Sequence, residues 1–247
     1  MITVNKLAKM IDHSLLHPTM TDEMLKEGCK LARKYDVASV CIKPYAVQLA
    51  VNELKDSGVK TGTVIGFPHG NSSMEIKIAE TMKACSDGAS EIDMVINIGK
   101  AIGHEWNYVM DEISTINKTA TEGGALLKVI FENDFLKDEQ IIKLCKICND
   151  IKVSFVKTST GYGFVKQQDG NYSYKGATQH HLKLMRKHTD ESISVKAAGG
   201  IRTLKDLLLV RSLGVSRIGA TATAAILDEA MALLQQGMAL EGLINTD

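Results

Sequence analysis

Val156-Lys157-Thr158-Ser159-Thr160-Gly161 and Val195-Lys196-Ala197-Ala198-Gly199-Gly200 are the two stretches from which the fold can be read. Each begins as a β-type run. Side chains alternate between the faces of a strand, so the valine and the lysine of each run point to opposite sides. The same alternation separates Ile92 from Asp93 and Val40 from Cys41. An open parallel sheet covered by helices on both faces would show near-continuous apolar strands. A barrel strand instead turns an apolar side outward to the helices and can carry polar side chains inward near its C-terminal mouth. The phase of the lysines therefore predicts a closed barrel.

Similar runs recur on both sides of these two: residues 11–15, 38–42, 61–65, 91–96, 125–130, 154–158, 193–197 and 216–219. Helical patterns lie between them. Ser72 and Glu75 have capping-box spacing, with Ile76, Ala79 and Met82 following at helical intervals. Asp138 opens a pattern with Ile141, Ile142, Leu144, Cys145 and Cys148 on its apolar side, and Thr203 is an N-cap for 204–213 with Gly214 as terminator. Eight strand–helix units divide the 247 residues, close to the ~250 of a complete (β/α)₈ barrel. The expectation is an α/β fold, a single TIM (β/α)₈ barrel with a short N-terminal helix, in one domain over residues 1–247.

Composition narrows the functional classes. Lysine plus arginine total 29 and aspartate plus glutamate total 29, so the basic excess of a nucleic-acid-binding protein is missing. No apolar run approaches the ~20 residues needed to cross a bilayer, which excludes membrane partners of that kind. The first residues lack the apolar stretch of a secretory signal, and five scattered cysteines do not form a disulfide framework. A cytoplasmic setting is expected.

Lysines on buried strands are costly unless paired. Lys157 and Lys196 lie late on neighbouring runs, and Asp93 lies on another strand of the same mouth. Desolvation and a second nearby cation both lower a lysine pKa, as a Schiff-base amine requires, and Asp93 can move protons. Glycines follow the last three strands: Gly161 and Gly163, Gly199-Gly200, and Gly219 before Ala220-Thr221-Ala222-Thr223. Such loops, opening onto helix starts, favour an anion such as phosphate.

These motifs, with Glu91-Ile92-Asp93-Met94-Val95-Ile96-Asn97, Asp12-His13-Ser14-Leu15-Leu16, Ser39-Val40-Cys41-Ile42 and Ile65-Gly66-Phe67-Pro68, closely resemble those of the deoxyribose-phosphate aldolase family. The resemblance runs from about residue 11 to residue 228. It implies a class I aldolase without metal or other cofactor, acting on small phosphosugar and aldehyde substrates as a homodimer or higher homo-oligomer. It further implies that Lys157 is the Schiff-base lysine and Lys196 the second lysine. Asp93 becomes the proton-handling carboxylate, Asp12 a supporting polar group and Cys41 a pocket-lining residue. Thr158, Gly161, Gly199, Gly200, Gly219 and Thr221 fall at substrate-binding positions. Two departures stand out: threonines in place of serines after Gly219, and an insertion over residues 164–174 that either shapes substrate access or is a solvated excursion.

Two rivals remain open on the residues alone: a phosphosugar isomerase or synthase on the same barrel, and a non-catalytic sugar-phosphate-binding barrel. Other features carry plainer expectations. Cys145 and Cys148 have redox spacing but sit in a helical pattern, and the seven histidines show no metal-ligand spacing joined to carboxylates. His69 is a candidate for lining the mouth. Lys128 shares the phase of Leu126 and Ile130 and can point inward as a third lysine with a structural pairing role.

Overall fold

The computed structural model describes residues 2–243; Met1 and residues 244–247, the two ends of the expected 1–247 domain, lie outside the described residues. Its strands are β1 (Ile11–Leu15), β2 (Ser39–Ile42), β3 (Lys60–Ile65), β4 (Glu91–Val95), β5 (Leu126–Ile130), β6 (Phe155–Lys157), β7 (Val165–Lys166), β8 (Tyr172–Ser173), β9 (Ser194–Ala198) and β10 (Arg217–Ala220). All but β7 and β8 are parallel and close into a barrel in which β6 pairs directly with β9 and β10 pairs with β1. β7 and β8 form an antiparallel hairpin outside it, within the inserted segment. The short N-terminal helix is α1 (Val4–Ala8), capped by the Thr3 hydroxyl.

The crossover helices include α2 (Asp22–Lys34), α3 (Val47–Glu53), α4 (Met74–Ser86), α5 (Ile98–Ile102), α6 (Trp106–Glu122), α7 (Asp138–Ile151), α8 (Gln179–His188), α9 (Leu204–Ser212) and α10 (Thr223–Gln235). They pack on the outward side chains of the strands. Ile92 and Met94 of β4, Leu127 and Val129 of β5, Val156 of β6 and Val195 of β9 all belong to this strand–helix core. Their alternates point into the barrel, where Asp93, Lys128, Lys157 and Lys196 are almost entirely removed from solvent. The predicted strand phase is therefore the observed one.

Local signals fared unevenly. Thr203 caps α9 through a capping box with Asp206, and Gly214 follows its end at a left-handed φ of 83°. At α4 the N-cap is Ser73, not Ser72, and its side chain makes no capping hydrogen bond. The inward face of α4 is also different from the expected one: Lys77, Thr81 and Ala84 are buried, whereas Ile76 and Met82 are 53% and 61% exposed. The cause is a buried ion pair. The Lys77 ammonium donates to the carbonyls of Gly70 and Val95, each at 2.8 Å, and to the Glu112 carboxylate at 2.7 Å. Glu112 in turn accepts from the Asn97 backbone N–H. All three ammonium donors are used, so a lysine takes a place that hydrophobicity alone assigns to isoleucine.

This pair clips α4 and α6 to the end of β4, and breaking it leaves an uncompensated buried carboxylate. Lys77→Ala should lower stability by about 3–5 kcal/mol. Lys77→Met combined with Glu112→Leu should recover a substantial part of that loss. Chemical denaturation of the two variants against the parent chain measures both.

Candidate active site

The barrel interior is built on charge. Parallel pairing sets Lys157 beside Lys196 and Asp93 beside Lys128. The Asp93 Oδ2 atom lies 2.7 Å from both Lys157 Nζ and Lys196 Nζ, while its Oδ1 lies 3.0 Å from Lys128 Nζ. Asp12, from β1, forms a second node: its Oδ2 is 2.5 Å from Lys196 Nζ and 3.0 Å from Lys128 Nζ, and its Oδ1 accepts from Arg217 and Ser39. Glu91 completes the lower part of the cluster, 2.6 Å from Lys128 and 3.2 Å from Arg217. The Phe155 ring floors this lower tier, with the Arg217 guanidinium 5.3 Å and the Lys128 ammonium 5.9 Å from its centroid.

Four basic groups thus meet three carboxylates in one connected network, and the surplus falls on Lys157. Burial lowers its pKa; the Asp93 carboxylate pulls the other way, but Lys196 adds to the lowering, and the balance lies below the ordinary lysine value. Lys196 is equally buried, yet its pKa is raised because Asp12 and Asp93 together outweigh the desolvation. The same reasoning holds Lys128 well above the usual range. Burial alone would raise Asp93, but three ammonium groups hold it well below the normal carboxylate value. Two lysines that share one carboxylate oxygen are separated by a single further contact, that of Lys196 with Asp12. Of the three buried lysines of the network, Lys157 is the one whose pKa is lowered.

Above the network opens a cavity of about 450 Å³ whose deep end is lined by Asp12, Cys41, Lys157 and Lys196. Gly161, Gly199, Gly200, Gly219 and Thr221 line its outer part. Gly199 and Gly200 have consecutive φ values of 84° and 87°, a backbone path that side-chain-bearing residues avoid, and so leave a bare loop against the cavity. Gly219 lies beside Lys196: a Cβ there would meet Lys196 Cε at 3.7 Å, an ordinary contact. Cys41 is buried, which pushes its thiol up to about 11.

Two of the candidate residues sit beneath the cavity. Asp93 is fully covered by the ammonium groups it binds. Thr158 is buried, with its hydroxyl engaged by the backbone of Ala198, and so joins the ends of β6 and β9. Of the threonines after Gly219, Thr221 reaches the cavity, whereas the Thr223 hydroxyl is 2.9 Å from His13 Nδ1. His69 is exposed and does not line this cavity. Cys145 and Cys148 are buried in α7 as free thiols.

Several participants escaped the sequence reading. Glu91 and Arg217 are in phase with Asp93 and with the inward side of β10, so strand alternation could have found them. Arg202, Tyr162, Phe164 and Tyr174 line the mouth. Glu132 holds the loop after β6 by accepting the Thr160 N–H and hydroxyl. Position 163 needs glycine because a Cβ there would lie 2.5 Å from Glu132 Cδ. The inserted segment divides in two. Phe164 and Tyr174 stack edge-to-face at 5.3 Å along the cavity, while the hairpin tip at residues 167–171 is exposed.

A family model described as DeoC/LacD family aldolase matches residues 6–240. The chain belongs to the DeoC/LacD family of aldolases. It is 49% identical over 224 residues to the deoxyribose-phosphate aldolase of Rhodopirellula baltica, covering 91% of this chain and 89% of that one. It is 45% identical to the deoxyribose-phosphate aldolase of Caldanaerobacter subterraneus, covering 90% and 93% of the two chains. Among solved structures, a putative deoxyribose-phosphate aldolase from Coccidioides immitis superposes with a TM-score of 0.85 at 32% identity, over 93% of this chain and 87% of that one. The tetrameric deoxyribose phosphate aldolase of Aeropyrum pernix superposes with a TM-score of 0.83 at 29% identity, over 94% and 93%. The fold is that of the family's TIM barrels.

The lysine asymmetry is measurable from the pH dependence of labelling at Lys157 by formaldehyde and cyanoborohydride, mapped by mass spectrometry. Labelling should rise through a midpoint below the ordinary lysine pKa. Lys196→Leu should move the midpoint to higher pH by removing a repelling cation, and Asp93→Asn should move it lower by removing the attracting carboxylate.

Proposed function

We propose that this chain is a deoxyribose-phosphate aldolase, cleaving 2-deoxy-D-ribose 5-phosphate reversibly to D-glyceraldehyde 3-phosphate and acetaldehyde through a Schiff base on Lys157. The observation that carries the reading is the opposed behaviour of two lysines on one carboxylate: Lys157 is pushed toward the free amine and Lys196 is held as the ammonium. A nucleophile and an acid at neighbouring positions are what imine chemistry needs. Neither rival needs such an amine, and the family membership and the names of the relatives speak for the aldolase.

In this reading the neutral Lys157 amine attacks the open-chain aldehyde carbon, and loss of water leaves a protonated imine. The C2–C3 bond breaks, its electron pair moves into the imine to give an enamine, and the C3 hydroxyl becomes the carbonyl of glyceraldehyde 3-phosphate. Asp93, Lys196 and water take up the hydroxyl proton and return one to the enamine carbon, and hydrolysis then releases acetaldehyde and Lys157. Asp93 is too strongly held by cations to act as a base alone, so the relay works through the lysine and water. The phosphate is assigned to the outer cavity, where Gly161, Gly199, Gly200, Gly219 and Thr221 lie beside the start of α10. The reaction uses no cofactor, since the imine itself is the electron sink.

The whole chain, residues 1–247, is taken as one catalytic domain. Among the described residues no helix is long and apolar enough to cross a membrane, and the free thiols suit a reducing, cytoplasmic setting. A homodimer or higher oligomer is supported by the relative described as tetrameric. The exposed Ile76 and Met82 on α4 supply apolar surface for such an assembly.

Borohydride added with acetaldehyde should leave a stable two-carbon adduct on Lys157. An unmodified Lys157, or an adduct elsewhere, overturns the reading. Lys157→Ala should lower kcat at least ~10³-fold, the scale seen when a member of a catalytic unit is removed. Acetaldehyde release should be much faster from deoxyribose 5-phosphate than from deoxyribose.

The aromatic pair of the insertion makes a separate expectation. Phe164→Ala or Tyr174→Ala should raise KM by roughly 2- to 10-fold with kcat little changed, as for loss of one aromatic contact in binding. Steady-state kinetics of the two variants measure this, and an unchanged KM would return the insertion to a solvated excursion.

A further inference from the structure

A second cluster with ligand chemistry lies outside the reaction cavity, where the starts of α7 and α8 come together. Asp138 is the first residue of α7, and His180 and His181 are the second and third residues of α8. They are 42 and 43 positions apart in sequence, so no linear spacing reveals them. One ligand atom of each lies within 4.8 Å of the others. Asp138 Oδ2 is 2.7 Å from His180 Nε2, and Asp138 Oδ1 is 3.7 Å from His181 Nε2. The two imidazole rings stand 5.4 Å apart at 54°.

A four-coordinate ion with bonds of ~2.0–2.1 Å separates its donors by about 3.3 Å. The two carboxylate–imidazole distances, one from each carboxylate oxygen, bracket that value, and all three donors lie within 4.8 Å of one another. His181 Nδ1 is buried and has no hydrogen-bond partner among the described residues, while its Nε2 faces Asp138. Asp138 and His180 are 49% and 65% exposed, leaving room for water to complete the coordination. We infer that Asp138, His180 and His181 form a surface site for a divalent first-row transition metal, of the zinc, cobalt and nickel class. Two imidazoles and one carboxylate suit these ions, whereas magnesium and calcium prefer oxygen.

The helix starts carry partial positive charge, which opposes a cation, and the Asp138 carboxylate offsets it. None of the three residues lines the reaction cavity. The ion acts instead as a clip. Asp134, four residues before Asp138, accepts the backbone N–H groups of Lys175 and Gly176, which lie between the hairpin and α8. A bound metal adds a coordinate link between the same two segments, 134–138 and 175–181, and so fixes the foot of the hairpin whose Phe164 and Tyr174 line the mouth.

The test uses the untagged full chain with cobalt(II) and zinc(II). Calorimetry should give one ion per chain, and the cobalt form should show visible d–d bands without thiolate charge transfer. Metal should raise the melting temperature. Asp138→Asn and the double variant His180→Ala/His181→Ala should raise Kd at least ~10-fold and abolish the thermal shift. Both should keep parental circular dichroism and aldolase turnover in the presence of a chelator. Absence of binding by the parent chain overturns the inference. So does equal binding by the variants, or a thiolate charge-transfer band that places the ion on a cysteine.

Discussion

Seven ionisable side chains brought together inside one barrel must largely balance their charges, because an unpaired buried ion is costly. Asp12, Glu91 and Asp93 face Lys128, Lys157, Lys196 and Arg217, and no arrangement of single positive charges on four groups can cancel three carboxylates. The desolvation cost of that surplus favours the neutral form of one group. Contact geometry selects Lys157, which has Asp93 as its ion-pair partner, whereas Lys128 touches three carboxylates and Lys196 two. The lowered pKa of Lys157 thus follows from the charge balance of the whole interior.

The lower tier, Lys128, Glu91 and Arg217, has no direct access to the cavity, yet it sets the field felt above. Lys128 engages both nodes, Asp12 and Asp93, and keeps both strongly ionised. Its removal would free charge on each carboxylate, draw Lys157 back toward the ammonium form and weaken the difference between the two upper lysines. The ion pairs below the cavity and those that line it are one network at two depths.

Strand alternation made the barrel legible because each strand has an apolar side to bury and a polar side to pair, and Lys157, Lys196, Asp93 and Cys41 all lie on the predicted inward phase. Reading stopped where pairing crossed between distant strands. Glu91 and Arg217 share the inward phase, but their pairing with each other shows only once β4 and β10 face each other through the interior. The inward face of α4 was misassigned because a lysine whose three donors are satisfied behaves as a core residue, which hydropathy cannot anticipate. The Asp138–His180–His181 cluster was invisible for a related reason: its members meet through the packing of two helices, not through spacing along one. Thr158 has the right strand but a spent hydroxyl, a matter of hydrogen-bond geometry that no pattern encodes.

β6 and β9 are hydrogen-bonded neighbours in the barrel even though 36 residues lie between Lys157 and Ser194, among them the hairpin and α8. The lateral register that sets Lys157 beside Lys196 is therefore independent of how long that excursion is. The exposed hairpin tip at residues 167–171 can change in length and composition without moving either lysine, whereas Gly163 and the buried Leu182 and Met185 of the same stretch are held by the barrel. One stretch of chain thus carries both a tip that is free to vary and packing that is not.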